Sequence, residues 1–236
     1  TFFSFGFYRL GEFAAVDEPL WLYGRIEKYW NNIGDHEWNK TDVSDKPGIT
    51  VSLISGAALL QYDPHRYDDV RHKGEVFVNK SLDMVGFFRG FRLPILLVIT
   101  LLLPLLYFLL ERLLGKETAL LPFALVGTAP LLIGVTKIIN PDALLWMFTT
   151  LSLLSYFVFQ RRQGYRYLFL SGVFLGLALL TKYIANILFV YLLLFLFVEY
   201  IYHSHLKKQN FSHYLKGSLL EISFIAFVSL ATFYLI

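Results

Sequence analysis

The run LPILLVITLLLPLLYFLL, from Leu93 to Leu110, decides the fold class. It contains no charged side chain, and it approaches the length of about 20 apolar residues that a helix needs to cross a bilayer. Pro94 and Pro104 are tolerated inside a membrane helix. The whole chain agrees with this pattern: 56% of its 236 residues are hydrophobic and 17% are charged, against about half and a quarter in soluble domains. The run therefore predicts a transmembrane span.

Similar runs follow along the rest of the chain, and each predicts another span. They are Ala119–Thr136, Ala143–Phe159, Tyr167–Leu180, Ile187–Tyr202 and a last run that begins at Leu219. We therefore expect an all-α, polytopic helical membrane protein with about six spans in residues 93–236, the last one truncated. The apolar residues 1–13 are expected to be a truncated first span, so that the chain would be the N-terminal part of a longer protein.

Residues 14–92 are expected to form a long external loop. Within it, apolar residues at helical spacing predict an amphipathic helix on the membrane surface: Leu22, Ile26, Tyr29 and Ile33. The apolar stretch 49–60 is too short to cross a bilayer and predicts a second surface or re-entrant helix. The charged stretch 62–80 is predicted to be a loop.

The basic residues of the short connections predict the orientation. They are concentrated in residues 111–118, 160–166 and 203–216, which the positive-inside rule assigns to the cytoplasm. The external loop and the opposite turns then lie outside, at one membrane boundary, with these polar residues: Asp17, Glu18, Lys46, Arg92, Lys137, Asn140, Asp142 and Lys182. Such a set could bind an anionic head group through its cations while a carboxylate removes a proton from an acceptor.

Several of these residues also have a purely structural interpretation, which spacing alone leaves open. Asp17 and Asn140 could each cap a helix that opens with proline. Lys46 could lie in a solvated turn before Pro-Gly. Lys182 and Arg92 could anchor helix ends at the membrane interface.

Several function classes are excluded or unsupported. The chain has no cysteine, which excludes disulfides, thiolate catalysis and Cys-ligated zinc. Its net charge of +3, without a basic stripe, gives no support for nucleic-acid binding. The sequence contains no HExxH, GxGxxG or Walker motif and no Ser-His-Asp arrangement. Gly172 and Gly176 form a small-residue face that favours helix packing over catalysis.

Five short motifs, in this order, resemble the GT-C glycosyltransferases, in the branch that holds protein O-mannosyltransferases and the lipid A aminoarabinose transferase. They are VDEP at 16–19, GD at 34–35, KPGIT at 46–50, INPDALL at 139–145 and GLALLTKY at 176–183. The resemblance covers nearly the whole chain, as the N-terminal half of one transmembrane glycosyltransferase domain. It implies transfer of a sugar from a polyprenyl-phosphate-linked donor to a protein, lipid or glycan acceptor. The reaction would take place at the outer face of a multi-pass membrane protein, with a prokaryotic cell membrane as the expected location.

The resemblance also implies roles for single residues. Asp17, with Glu18 beside it, matches the catalytic carboxylate of an inverting transfer. Asp142 matches an acidic position near the sugar or near a divalent metal, which would lie by Asp17 and Asp142; no other cofactor is expected. Positions that contact the donor phosphate match Lys46, Arg92 and Lys182.

Two alternatives from other function classes remain open. In a secondary transporter the interfacial charges would line a path, although transporters place their binding charges near the bilayer midplane, where these runs are apolar. In a non-catalytic membrane scaffold the same fold would be kept without the reaction.

Overall fold

The computed structural model describes residues 1–44, 47–72, 82–206 and 211–236, with side chains described except at 69–72, 199–200, 202–206 and 211–216. The described residues are helical and include no strand, which confirms the predicted all-α fold class. By their contacts they form two compact units, Thr1–Met147 and Phe148–Ile236.

The first unit opens with short helices and continues into a long helix and a bent helix pair. Its elements are α1 (Phe2–Phe7), α2 (Glu18–Leu20), a π-helical turn (Trp21–Arg25), α3 (Ile26–Gly34), a 3-10 turn (Trp38–Lys40), α4 (Ile49–Ser55), a second 3-10 turn (Gly56–Leu60), α5 (His65–His72), α6 (Met84–Leu114), α7 (Lys116–Thr128) and α8 (Pro130–Thr136). The helix α6 packs against α1, α4, α7 and α8. Helix α5 corrects the prediction of a loop over 62–80, of which residues 73–80 lie outside the described part.

Helix α6 begins earlier than the predicted span. The span was expected from Leu93, whereas the helix begins at Met84. The Asp83 carboxylate accepts a hydrogen bond from the Gly86 N–H at 2.8 Å, which satisfies one of the unpaired donors at a helix N-terminus. Two arginines interrupt the apolar run in these added turns. The turns nevertheless bury the aromatic side chains of Phe87, Phe88 and Phe91.

The amphipathic helix of the first loop forms, but its apolar face is covered by protein. Leu22, Ile26 and Tyr29 are buried. Helix α3 packs against α4, and the indole N–H of Trp30 donates to the Ser52 carbonyl at 2.9 Å. The second predicted surface helix therefore covers the first one and packs in turn on α6.

The predicted span 119–136 is interrupted near its middle. Helices α7 and α8 meet at a bend of 53°. Pro130 opens α8, and Ala129 before it is extended, with φ −64° and ψ 115°. Proline lacks a backbone donor and disfavours the helical conformation in the residue before it, so the bend has a local cause. The pair is either one broken span or a re-entrant segment.

The second unit contains most of α9 (Asp142–Arg162), then α10 (Tyr165–Thr181), a 3-10 turn (Tyr183–Asn186), α11 (Ile187–Leu206) and α12 (Phe211–Leu235). Helices α10 and α12 pack closely. A Cβ atom added to Gly172 would lie 2.7 Å from Val228 Cβ, and one added to Gly176 would lie 2.6 Å from the Ser229 carbonyl oxygen. These distances confirm that the two glycines serve helix packing.

Length and hydropathy identify the helices that can cross a membrane. Among the described residues three pass this test, Met84–Leu114, Asp142–Arg162 and Gly217–Leu235, and the bent pair makes a fourth if it is one span. The segments Tyr165–Thr181 and Tyr183–Val198 are apolar but shorter. The expected number of about six spans therefore stays a prediction.

Candidate functional site

Arg92, in the N-terminal half of α6, is completely buried in the first unit. Its Nε donates to Glu18 Oε1 at 2.8 Å and its Nη2 donates to Glu18 Oε2 at 2.6 Å. The carbonyl oxygens of Leu10 and Phe13 accept two more of its hydrogen bonds. The guanidinium also lies 4.1 Å from the ring centre of Phe13 and 4.8 Å from that of Phe88. The rigid fork of arginine is suited to this two-pronged pairing.

Glu18, which opens α2, is also completely buried. In addition to Arg92, its Oε2 accepts from the Ala15 N–H and its Oε1 accepts from the Ile139 N–H, both at 2.9 Å. A carboxylate has about four lone-pair positions for hydrogen bonds, so these contacts occupy its accepting capacity. We call the set formed by Glu18, Arg92 and the Ile139 N–H the carboxylate clasp. It joins the first loop, α6 and the turn before α9.

Asp17 has a different environment from its neighbour. Its side chain is exposed. It occupies the N-cap position of α2, with Pro19 in the first turn, yet among the described residues it makes no side-chain capping hydrogen bond. The N-cap interpretation is thus correct for its position but does not account for its carboxylate. Of the two adjacent acids, Glu18 is enclosed in the clasp and Asp17 faces outward.

Asp142, the first residue of α9, is exposed as well. Its backbone N–H donates to the Asn140 side-chain oxygen at 3.0 Å, so Asn140 supports the start of the helix as its structural interpretation predicts. Asp142 is three residues further along the chain than Ile139. Consecutive Cα atoms are about 3.8 Å apart. Asp142 therefore lies within about 11 Å of the clasp along the backbone, as a second exposed carboxylate in this part of the unit.

Lys137, which the sequence placed at this boundary without giving it a role, lies beside the clasp. Its Nζ donates to the Tyr8 carbonyl oxygen at 2.6 Å and lies 5.8 Å from the ring centre of Phe13, the ring that Arg92 also contacts. Burial lowers the pKa of the Lys137 ammonium, and the positive charges of Arg92 and Arg9 lower it further. In the sequence, this residue could have been singled out only as a cation in the turn before Asn-Pro-Asp.

Comparison with known families tests the predicted class. A family model for dolichyl-phosphate-mannose-protein mannosyltransferases matches residues 84–231, more than half of the chain. The chain belongs to the dolichyl-phosphate-mannose-protein mannosyltransferase family. This confirms the resemblance at the level of a membrane glycosyltransferase of the GT-C type. No curated protein and no solved structure matches the chain.

The mannosyltransferase family match begins at the first residue of α6. It includes Arg92 and Asp142 but not the carboxylates of the VDEP motif. The assignment of Asp17 and Glu18 in this family member therefore rests on the first-loop motif and on the geometry of the clasp, which ties that motif to two stretches inside the matched region.

The remaining residues predicted for the site are Lys46 and Lys182. Lys46 lies outside the described residues. Lys182 belongs to the second unit, where it ends α10 with extended backbone angles, φ −160° and ψ 131°, and is half-buried. Their contacts with a donor phosphate stay predictions. Arg92 is completely buried and paired with Glu18. Its contact with a donor phosphate also stays a prediction.

The divalent metal expected beside Asp17 and Asp142 stays a prediction. Among the described residues no group of three or more His, Cys, Asp or Glu side chains is placed to hold an ion. Glu18, the acid nearest in sequence to Asp17, is occupied by Arg92 and backbone N–H groups. Glu18 would therefore contribute no ligand to such an ion.

Proposed function

We propose that this family member transfers a sugar from a polyprenyl-phosphate-linked donor to a hydroxyl group of its acceptor, with Asp17 as the general base. One observation carries the proposal: exposed Asp17 directly precedes a Glu18 that is buried and accepts four hydrogen bonds from three residues. A general base must be held within hydrogen-bond reach of its proton. The buried ion pair between Glu18 and Arg92 fixes the backbone next to Asp17 and so holds the Asp17 carboxylate in place.

The reaction follows from these groups. The Asp17 carboxylate takes the proton of the acceptor hydroxyl as its oxygen bonds to the anomeric carbon. The bond from that carbon to the phosphate oxygen breaks, and its electron pair leaves with the polyprenyl phosphate. Attack from the face opposite the leaving group inverts the anomeric configuration. Cations are needed where the phosphate charge develops, and Lys46 is the first-loop residue proposed for this contact.

Glu18 and Arg92 are positioning residues in this proposal. Glu18 accepts four hydrogen bonds, so it has no lone pair left to take a substrate proton. Its effect on the reaction is to fix the backbone at Asp17. Through the Ile139 N–H it also fixes the turn that leads to Asp142, which we propose to contact the sugar.

The reaction is proposed to take place at the outer face of the membrane, in keeping with a prokaryotic cell membrane. The support is the distribution of Lys and Arg among the short connections, which assigns the first loop to the outside. A lipid-linked donor suits such a site because its chain stays in the bilayer while its phosphate lies at the interface.

The test is Asp17→Asn in the full-length protein, supplied with a labelled polyprenyl-phosphate sugar. Loss of a general base typically lowers the rate by about 10²–10⁴-fold, whereas donor binding should stay near that of the parent protein. Asp42→Asn, at an exposed carboxylate of the first loop that lies outside the five motifs, is the matched control and should leave transfer unchanged. Transfer by Asp17→Asn within a few fold of the parent would refute the assignment. Movement of intact donor across the membrane would favour a transporter, and neither activity in the parent would favour a scaffold.

A further inference from the structure

An open cleft of about 250 Å³ lies next to the clasp in the first unit. It is lined by Tyr8, Arg9, Glu12, Phe13 and Lys137. Phe13 also contacts the clasp, because Arg92 lies 4.1 Å from the centre of its ring, while Lys137 lies 5.8 Å from it. The cleft is smaller than the roughly 300–1,000 Å³ of pockets for drug-sized ligands. Its size suits a small head group.

The charges of the cleft favour an anion. Arg9 and Lys137 are cationic, and the single acid, Glu12, is held by Arg9 in an exposed ion pair. The lining therefore carries one net positive charge. The positive charge of Arg92 also acts on Lys137 and, after burial, contributes to lowering its pKa.

The Lys137 ammonium has donors for a ligand. Of its three N–H bonds, one is directed to the Tyr8 carbonyl oxygen at 2.6 Å. Within the part of the chain that the structure describes, up to two remain for oxygen atoms in the cleft. Burial of the ammonium and the nearby cations disfavour its charged form, and a bound anion would offset both effects.

We propose that this cleft binds the phosphate group of a membrane lipid, with Lys137 as its principal ligand and Arg9 as a second cation. Lys137 follows the last residue of α8, at the end of the bent helix pair, where lipid phosphates are expected if that pair enters the bilayer. Two lipids carry this chemistry: a polyprenyl phosphate, in which case the inference rests on the proposed function, or an anionic phospholipid of the bilayer.

The experiment measures binding of two probes to the full-length protein in neutral nanodiscs: farnesyl phosphate and phosphatidylglycerol. Lys137→Gln should weaken at least one probe by about tenfold or more, because a hydrogen bond to a charged group contributes about 1.5–3 kcal/mol. Lys137→Arg should restore most of the affinity. Lys116→Gln, at an exposed lysine that opens α7, is the matched control and should bind both probes like the parent. Farnesol, which lacks the phosphate, should not distinguish any of the variants.

The outcomes separate the sources and the two proposals. A loss confined to farnesyl phosphate identifies the polyprenyl phosphate as ligand, and a loss confined to phosphatidylglycerol identifies a bilayer phospholipid. Unchanged binding of both probes by folded Lys137→Gln would overturn the inference. If Lys137→Gln weakens phosphate binding but the parent protein transfers no sugar, the proposed function is refuted while the inference about the cleft is supported.

Discussion

The two units of this chain differ in the contacts that hold each one together internally. In the first unit a buried ion pair joins residues 74 positions apart in the sequence and recruits a backbone N–H from a third stretch. In the second, α10 and α12 meet through glycines whose missing side chains let the helices approach. A hydroxyl there adds one neutral contact, from Ser152 to the Ser171 carbonyl at 2.9 Å.

This difference separates positioning from packing. Close contact between small residues brings helix surfaces together, because dispersion and interhelical hydrogen bonds drive association where lipid removes the hydrophobic effect. A buried charge pair has strict geometry and is costly when incomplete. In the first unit such a buried charge pair lies beside exposed Asp17, where a precise arrangement would matter for chemistry.

The largest expected effect on stability comes from breaking the clasp. Arg92→Met leaves the Glu18 carboxylate buried without its cation, and loss of one partner of a buried pair costs about 3–5 kcal/mol. We expect a decrease of that size in the free energy of unfolding of the full-length protein, measured by detergent titration. The double variant Glu18→Met/Arg92→Met should be less destabilised than the two single variants together, since neither charge is then left alone. Strict additivity would contradict the clasp.

A smaller effect is expected from closing the gap between α10 and α12. Gly176→Ala places a Cβ 2.6 Å from the backbone oxygen of Ser229, so the helices must shift, and overpacking typically costs about 1–3 kcal/mol. The same unfolding measurement applies. Gly217→Ala is the matched control because no described heavy atom lies within 4 Å of its added Cβ. Equal stability of the two variants would contradict close packing at this seam.

The smallest effect is expected from the exposed ion pair at the cleft. Glu12→Gln removes the partner of Arg9, but both side chains are exposed, and many surface pairs contribute nothing measurable. We expect no measurable change in melting temperature. Binding of farnesyl phosphate should be equal to that of the parent or tighter, because the cleft loses its acid. Weaker binding would argue against an anion site.

The sequence predicted the helices well where apolar runs were continuous. Asp142–Arg162 and Tyr165–Thr181 lie within two or three residues of the predicted spans. It missed the start of α6, because arginines interrupt hydropathy although their neighbours are buried. It also missed the break at Pro130, because a proline inside an apolar run is compatible with a continuous membrane helix, as Pro94 and Pro104 in α6 show.

The sequence predicted the members of the site better than their arrangement. It placed Glu18, Arg92 and Lys137 at one membrane boundary, yet their partners depend on tertiary structure. The donor that completes the clasp is a backbone N–H, that of Ile139, and no residue type marks such a donor. For the same reason the sequence treated Asp17 and Glu18 as a pair, whereas burial separates them into an exposed and an enclosed acid.

The central claim is that Asp17 acts in the reaction while Glu18 holds it in place, and one paired measurement tests it directly. Turnover and melting temperature are recorded for full-length Asp17→Asn and Glu18→Gln under the same conditions. The account predicts that Asp17→Asn melts like the parent and loses turnover by about 10²–10⁴-fold, whereas Glu18→Gln melts at a clearly lower temperature. A stable Glu18→Gln variant without activity, beside an Asp17→Asn variant that still turns over, would contradict it.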